Sequence, residues 1–221
     1  MLTQPVKPKG KRKTQDPCDI CFLHKMRCIC ASIPSLELKT KVSLVIHHRE
    51  LKRTTNTGSL AHHALVNSEI FIRGKINLPL DLSAQLTSNY HSLLFYPCDE
   101  AVELTEDFIN EIKRPIQLIV PDGNWRQASK VHYRHSELKH LTRVMIKAPN
   151  FDTQHLRAEH TAEGMATLQA IAYALGVIEG PDVKNELLKL YNLKLAQTLL
   201  GRASKPINSS HTEVVLPVHP A

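Results

Sequence analysis

No apolar run in the 221 residues approaches the roughly 20 needed to span a bilayer. The opening "MLTQPVKPKGKRKTQ" also lacks the apolar stretch of a secretory signal. From these two absences neither a membrane nor a secreted setting is expected, and a reducing, cytoplasmic one is. There the five cysteines are not expected to pair as disulfides. In a eukaryotic source "KPKGKRK" would also read as a nuclear-import signal. Acids are the scarcer charge, 21 against 28 Lys and Arg, so the formal net charge is +7. That balance favours a polyanionic partner, because each neutralised phosphate releases counterions. Aromatic residues make up only 5% of the chain and tryptophan occurs once, so the position of that residue carries information. No internal repeat is visible.

The hydrophobic content of 42% is ordinary for a globular protein and supplies a core for one sizeable α/β domain. Residues 1–16 hold five Lys or Arg and no acid before Asp16, which reads as a solvated basic arm. Lys11, Arg12 and Lys13 are its candidate phosphate contacts. Residues 17–36 form a cysteine-rich segment, 37–203 the main domain and 204–221 a loop-like tail. Within the main domain, strands are expected over 41–48, 69–74, 92–97, 116–121 and 142–149. Helices are expected over 56–67, 124–136, 161–180 and 183–200, on apolar spacing and on cap and breaker residues.

Strand–helix alternation predicts a largely parallel sheet covered by helices on both faces. Ligands of such sheets bind outside the carboxyl ends of the strands. Three of those ends are unusually polar: His47-His48-Arg49-Glu50, Tyr96-Pro97-Cys98-Asp99-Glu100 and Pro121-Asp122-Gly123-Asn124-Trp125.

"CDICFLHKMRCIC" spaces Cys18, Cys21, Cys28 and Cys30 as Cys-x2-Cys-x6-Cys-x-Cys. Four thiolates this close suit one tetrahedral Zn²⁺ in a closed structural site. An iron–sulfur cluster and unligated thiols are the alternatives. The metal would fold a segment too small for its own core and hold Lys25 and Arg27 toward RNA.

In "HHRELKRTTNTGSL" the residues Asn56, Thr57 and Gly58 fall where a helix begins, so free N–H groups there could hold a carboxylate or phosphate. Arg49, Lys52 and Arg53 add positive charge. Asp122 ends a strand and precedes glycine, which makes it either a cap for the next helix or a reactive carboxylate. Arg126 and Lys130 share a helical face and are candidate phosphate contacts. Trp125 is expected to pack in the core, with stacking on a base as the alternative. Thr161, Glu163 and Thr167 fall near the start of the 161–180 helix.

Taken together, the cysteines, "HHRELKRTTNTG", "LLFYPCDEA", "LIVPDGNWRQASK" and "TLQAIAYAL" resemble the DTW-domain family of tRNA-uridine aminocarboxypropyltransferases. The family's Asp-x-Thr-Trp motif is represented by Asp122, Gly123, Asn124 and Trp125, with asparagine in place of threonine. The resemblance implies a SPOUT-like α/β fold with a C-terminal knot and S-adenosylmethionine among the strand-end loops. On that footing Arg49, Asn56, Thr57 and Gly58 are expected to hold the cofactor's carboxylate. Leu94, Tyr96, Pro97, Met165 and Leu168 are expected to face its adenosine, while Pro121, Gly123, Asn124, Trp125, Glu163 and Thr167 complete the site.

The reaction implied moves the 3-amino-3-carboxypropyl group of S-adenosylmethionine to N3 of a tRNA uridine, giving acp3U and methylthioadenosine. Asp122 is the candidate base for the imide proton, its basicity raised by partial burial beside Trp125. Resemblance to bacterial-type members points to the variable loop of tRNA. Two other readings remain: an S-adenosylmethionine-dependent RNA methyltransferase, and a non-enzymatic zinc-knuckle RNA-binding module. The chain could act as monomer or homodimer.

Overall fold

The computed structural model describes residues 14–147, 156 and 165–203. Six strands form one sheet in the order β2-β1-β5-β3-β6-β4: β1 Lys41–His47, β2 Ser68–Arg73, β3 His91–Phe95, β4 Val102–Glu103, β5 Ile116–Asp122 and β6 Thr142–Met145. Every pairing is parallel. The helices are α1 Gly58–Ala64, α2 Glu106–Asn110, α3 Trp125–Arg134, α4 Thr167–Ile178 and α5 Pro181–Ala203.

Alternation along the strands divides the core into two layers, as a period of two requires. Val42, Leu44, Ile46, Leu93, Leu118 and Val120 face one way, packing with Leu60 of α1, Leu168 and Ile171 of α4 and Tyr191 of α5. Val45, Leu94 and Ile119 face the other way, against Val131 of α3, Leu138 and Leu141. Both faces are therefore covered, and the parallel sheet expected from the alternation is observed.

Several elements are shorter than their apolar runs suggest. The predicted 56–67 helix is only Gly58–Ala64, because the buried Asn56 and Thr57 side chains bond outside the helix. The predicted 142–149 strand ends at Met145, and the 161–180 helix begins at Thr167. The short β4 and α2 were not expected; the first has two residues and the second five, too few for a period to register. Helix α5 starts at Pro181, whose fixed φ suits the first helical position, directly after Gly180 at φ +110. The arm residues Lys11, Arg12 and Lys13, the 204–221 tail, Thr161 and Glu163 lie outside the described residues, as does most of the 148–164 connection on which the expected knot turns.

The cysteine segment is not a separate body. Cys21, Leu23 and Ile29 are buried in the larger core layer, and Leu36 bridges in parallel to Leu65.

Candidate functional site

Strand β5 separates the β1–β2 half of the sheet from the β3–β6–β4 half, and Asp122 is its last residue. Asp122 points to the same face as Leu118 and Val120, toward α1 and α4. Its Oδ2 accepts from Asn56 Nδ2 at 2.6 Å and its Oδ1 accepts from Thr167 Oγ1 at 2.6 Å. The residue is 7% exposed. One carboxylate thus ties the end of the middle strand to the starts of two helices. Thr57 Oγ1 completes the tie by accepting from the backbone N–H of Leu168 at 3.1 Å, and Asn56 Oδ1 accepts from Ser59 N at 2.8 Å.

Gly58 is required by this arrangement. A Cβ there would lie 2.5 Å from Asp122 Oδ2. That oxygen cannot swing aside without losing its bond from Asn56, so even alanine would be overpacked.

The cap of α3 is Asn124, not Asp122. Asn124 Oδ1 accepts from Gln127 N at 2.9 Å and Gln127 Oε1 accepts from Asn124 N at 2.8 Å, a reciprocal capping box. Asparagine and threonine are both good N-cap residues, which accounts for asparagine where the family motif has threonine. Gly123 lies close beneath the box, since a Cβ would come 2.8 Å from Gln127 Cβ.

Trp125 does not pack in the core. It is 45% exposed at the first position of α3, where the helix buries only Ala128 and Val131. The expected burial of Asp122 beside it is supplied by α1 and α4 instead. Two expected contacts of a bound cofactor are also enclosed: Leu94 and Leu168 are fully buried in opposite core layers. Asn56 and Thr57 are buried with their side chains already bonded within the protein. The expected site residues left with open surface near this edge are Arg49, Tyr96, Pro97, Pro121, Gly123, Asn124, Trp125 and Met165, with Thr167 partly open. The register Leu94↔Ile119 brings Tyr96 and Pro97 to the same end as Pro121.

The four cysteine sulfurs converge, all within 4.8 Å of one another. Cys18–Cys30 and Cys18–Cys28 are 3.6 Å apart and Cys21–Cys28 3.8 Å. A tetrahedron with metal–sulfur bonds of about 2.3 Å has edges of about 3.8 Å, so the spacing fits one ion. It leaves no room for a cluster of several irons. Backbone N–H groups of Cys21 and Ile20 hold the Cys18 thiol down at about 6, while burial and the neighbouring sulfurs push Cys30 up. A divalent cation among them would reverse that cost.

Sequence reasoning missed Lys194. It is 0% exposed on α5 and its ammonium donates to the backbone O of Cys21. Its one signal was a lysine in line with the apolar Leu187, Leu190 and Tyr191 on one helical face. Of the expected phosphate contacts, Lys25 pairs with Asp16 at 2.9 Å and Arg53 with the buried Glu50 at 3.3 Å. Lys52, Arg126 and Lys130 are exposed, and Arg27 lies against Gly201 at the end of α5.

Fold and site together define a doubly covered parallel α/β domain with a buried acid at the strand-end lip and a four-cysteine knuckle locked to its last helix. The DTW domain model matches residues 15–199; the chain belongs to this family. It is 25% identical over 189 residues to tRNA-uridine aminocarboxypropyltransferase 2 of Macaca fascicularis, covering 83% of this chain and 62% of that protein. The protein of the same name from Drosophila melanogaster is 25% identical over 183 residues, covering 79% and 72%. This chain thus spans 62% of the length of the macaque relative. Among solved structures it is similar to the SAM-dependent rRNA:acp-transferase Tsr3 from Vulcanisaeta distributa, with a TM-score of 0.45, 17% identity and coverage of 73% and 79%. Among the described residues no helix is long and apolar enough to cross a membrane.

Proposed function

We propose that this protein is a tRNA-uridine aminocarboxypropyltransferase that forms acp3U at N3 of a tRNA uridine, most simply one in the variable loop. The observation that carries the reading is the Asp122 carboxylate, set at the lip of β5 and bonded to the starts of both α1 and α4. Family membership and the names of the relatives support it.

S-adenosylmethionine, when bound, supplies an electrophilic carbon attached to a sulfonium leaving group. The lip suits it chemically: Arg49 offers a cation for its carboxylate, and Tyr96, Pro97, Trp125 and Met165 offer apolar surface for its adenosine. Which of the sulfonium's carbons reacts is a matter of orientation. The bonds from Asn56 to Asp122 and from Leu168 N to Thr57 Oγ1 keep the walls of the lip fixed for that choice.

The uridine imide must lose the proton on N3 to become a nucleophile. Asp122 is the acceptor in this reading. Its hydrogen bonds, those from Asn56 and Thr167 among them, weaken it as a base, so the proton is accepted as a bond to the carboxylate loosens. Thr167 Oγ–H is a single-bond rotor and can turn from Oδ1 toward the arriving imide, while Asn56 keeps Oδ2 in place. The Cys18, Cys21, Cys28 and Cys30 site is assigned to structural Zn²⁺, and the SPOUT-like class with its C-terminal knot is the expected setting. Exposed Lys52, Arg126 and Lys130 are assigned to tRNA phosphates.

The test is incubation with bulk tRNA and S-adenosylmethionine labelled separately on the methyl and on the amino acid. Amino-acid label in RNA, with methylthioadenosine released, is the expected result. Methyl label in RNA, with S-adenosylhomocysteine released, would replace this reading with a methyltransferase. Tight tRNA binding with no transfer of either label would leave an RNA-binding module.

A further inference from the structure

On the opposite face of the sheet from Asp122, at the same end, lies a cleft of about 660 Å³ lined by Arg73, Gly74, Asp81, Arg134, His135 and Glu137 among others. Arg73 ends the edge strand β2 and is only 7% exposed. Its Nη1 donates to the backbone O of Gln127 at 2.7 Å, which ties β2 to α3. Its Nε–H has no acceptor among the described residues. A buried donor left unpaired is costly, and a guanidinium carries the planar donor geometry that an oxyanion matches.

The cleft's acids are engaged elsewhere. Asp81 Oδ1 accepts from Ser83 N at 2.9 Å, and Glu137 Oε1 accepts from Leu82 N at 3.1 Å while pairing with His135 Nδ1 at 2.9 Å. Neither Arg73 nor Arg134 has an acidic partner among the described residues. Burial first, and then the charge of Arg134, lower the Arg73 pKa, as two guanidiniums without an anion between them should. His47, which pairs in register with Arg73, is lowered by burial and by His48, Arg73 and Arg49. A second cleft of about 410 Å³ shares Gly74 and is lined by His48, Arg49 and Lys75. The buried Nδ1 of His48 is also without a partner.

From this geometry we infer that the Arg73–Arg134 cleft binds a backbone phosphate of the RNA substrate, away from the reacting uridine. Arg73 provides the buried fork and Arg134 closes the site from the surface. Strand spacing of about 4.8 Å puts β2 two strands and roughly 10 Å from β5, so the same RNA strand can reach both. The inference rests on the reading of the chain as an RNA-modifying enzyme, and it makes Arg73 and Arg134 positioning residues.

The test is tRNA binding by the full chain at several salt concentrations, without donor, for wild type and Arg134→Gln. Arg134 is exposed, so the variant should fold. The expected result is a several-fold loss of affinity, with the slope of log affinity against log salt shallower by about one phosphate contact. An unchanged affinity and slope would overturn the inference. A second arm titrates inorganic phosphate while following the His135 ring signals by NMR. Phosphate binding lost in Arg134→Gln, with tRNA affinity unaltered, assigns the cleft to a small phosphorylated ligand and also overturns it. Because binding is read without chemistry, failed label transfer with a shallower variant slope would sink the proposed reaction and leave the cleft standing.

Discussion

At Asp122 two demands meet, since the carboxylate is both a structural tie and the proposed proton acceptor. The substitution Asp122→Asn separates them. Asparagine keeps an oxygen for Thr167 Oγ–H but sets its amide against the Asn56 amide, which now donates at 2.6 Å. If Asp122 takes the N3 proton, transfer at neutral pH should fall by roughly 10²–10⁴. It should recover as pH rises, because the imide then loses its proton to solvent. Wild type should gain less over the same range. Rates across pH, with melting temperature measured in parallel, check this; an equal loss at every pH would leave Asp122 a positioning role alone. The acid and its strand end were legible in the sequence because an apolar run stopping at Pro-Asp-Gly exposes few alternatives. Its partners were not. Asn56 and Thr167 lie 66 and 45 residues away, and no local pattern encodes such a meeting. Trp125 misled for a related reason: tryptophans are usually well buried, but this one opens a helix whose inward face is set by Ala128 and Val131.

At the scale of elements, the start of α3 carries more of the site than its length suggests. The box between Asn124 and Gln127 fixes the turn after Asp122, while Gln127's carbonyl receives Arg73. The α3 cap therefore connects the lip on one face of the sheet to the cationic cleft on the other. Asn124→Ala should cost about 1 kcal/mol through the lost cap, lowering the melting temperature by roughly 2–4 °C for a domain of this size. Asn124→Thr should stay close to wild type, since threonine also caps. Thermal melts of the two variants test the ordering, and equal losses would show that the cap is not what asparagine supplies. The long elements were readable because periods of two and near four hold over enough residues. Helix α4 follows Leu168, Ile171, Ala172 and Leu175. Element ends were less readable, because they are set by tertiary bonds such as Thr57 Oγ1 to Leu168 N.

For the molecule as a whole, the N-terminal knuckle and the C-terminal helix are one unit. Lys194 sits fully buried on α5, and burial holds its pKa at about 8 while the thiols of Cys21, Cys30 and Cys18 push the other way. A buried ammonium is costly alone, but beside four thiolates holding a metal, as proposed, it would offset part of their surplus negative charge. Lys194→Met keeps the shape and removes the charge, so its effect should change sign with the metal. In the zinc-loaded protein the variant should release metal to a chelator faster and melt lower, because one member of a buried charge set is gone. In protein stripped of metal the same variant should melt at or above wild type, because a costly buried ammonium, held by the Cys21 carbonyl but no longer facing metal-bound thiolates, has been replaced by an apolar side chain. Metal release followed with a chromogenic chelator, beside melts of loaded and stripped protein, measures both signs. A variant that melts lower in both states would mean that Lys194 serves the Cys21 carbonyl and not the thiolates.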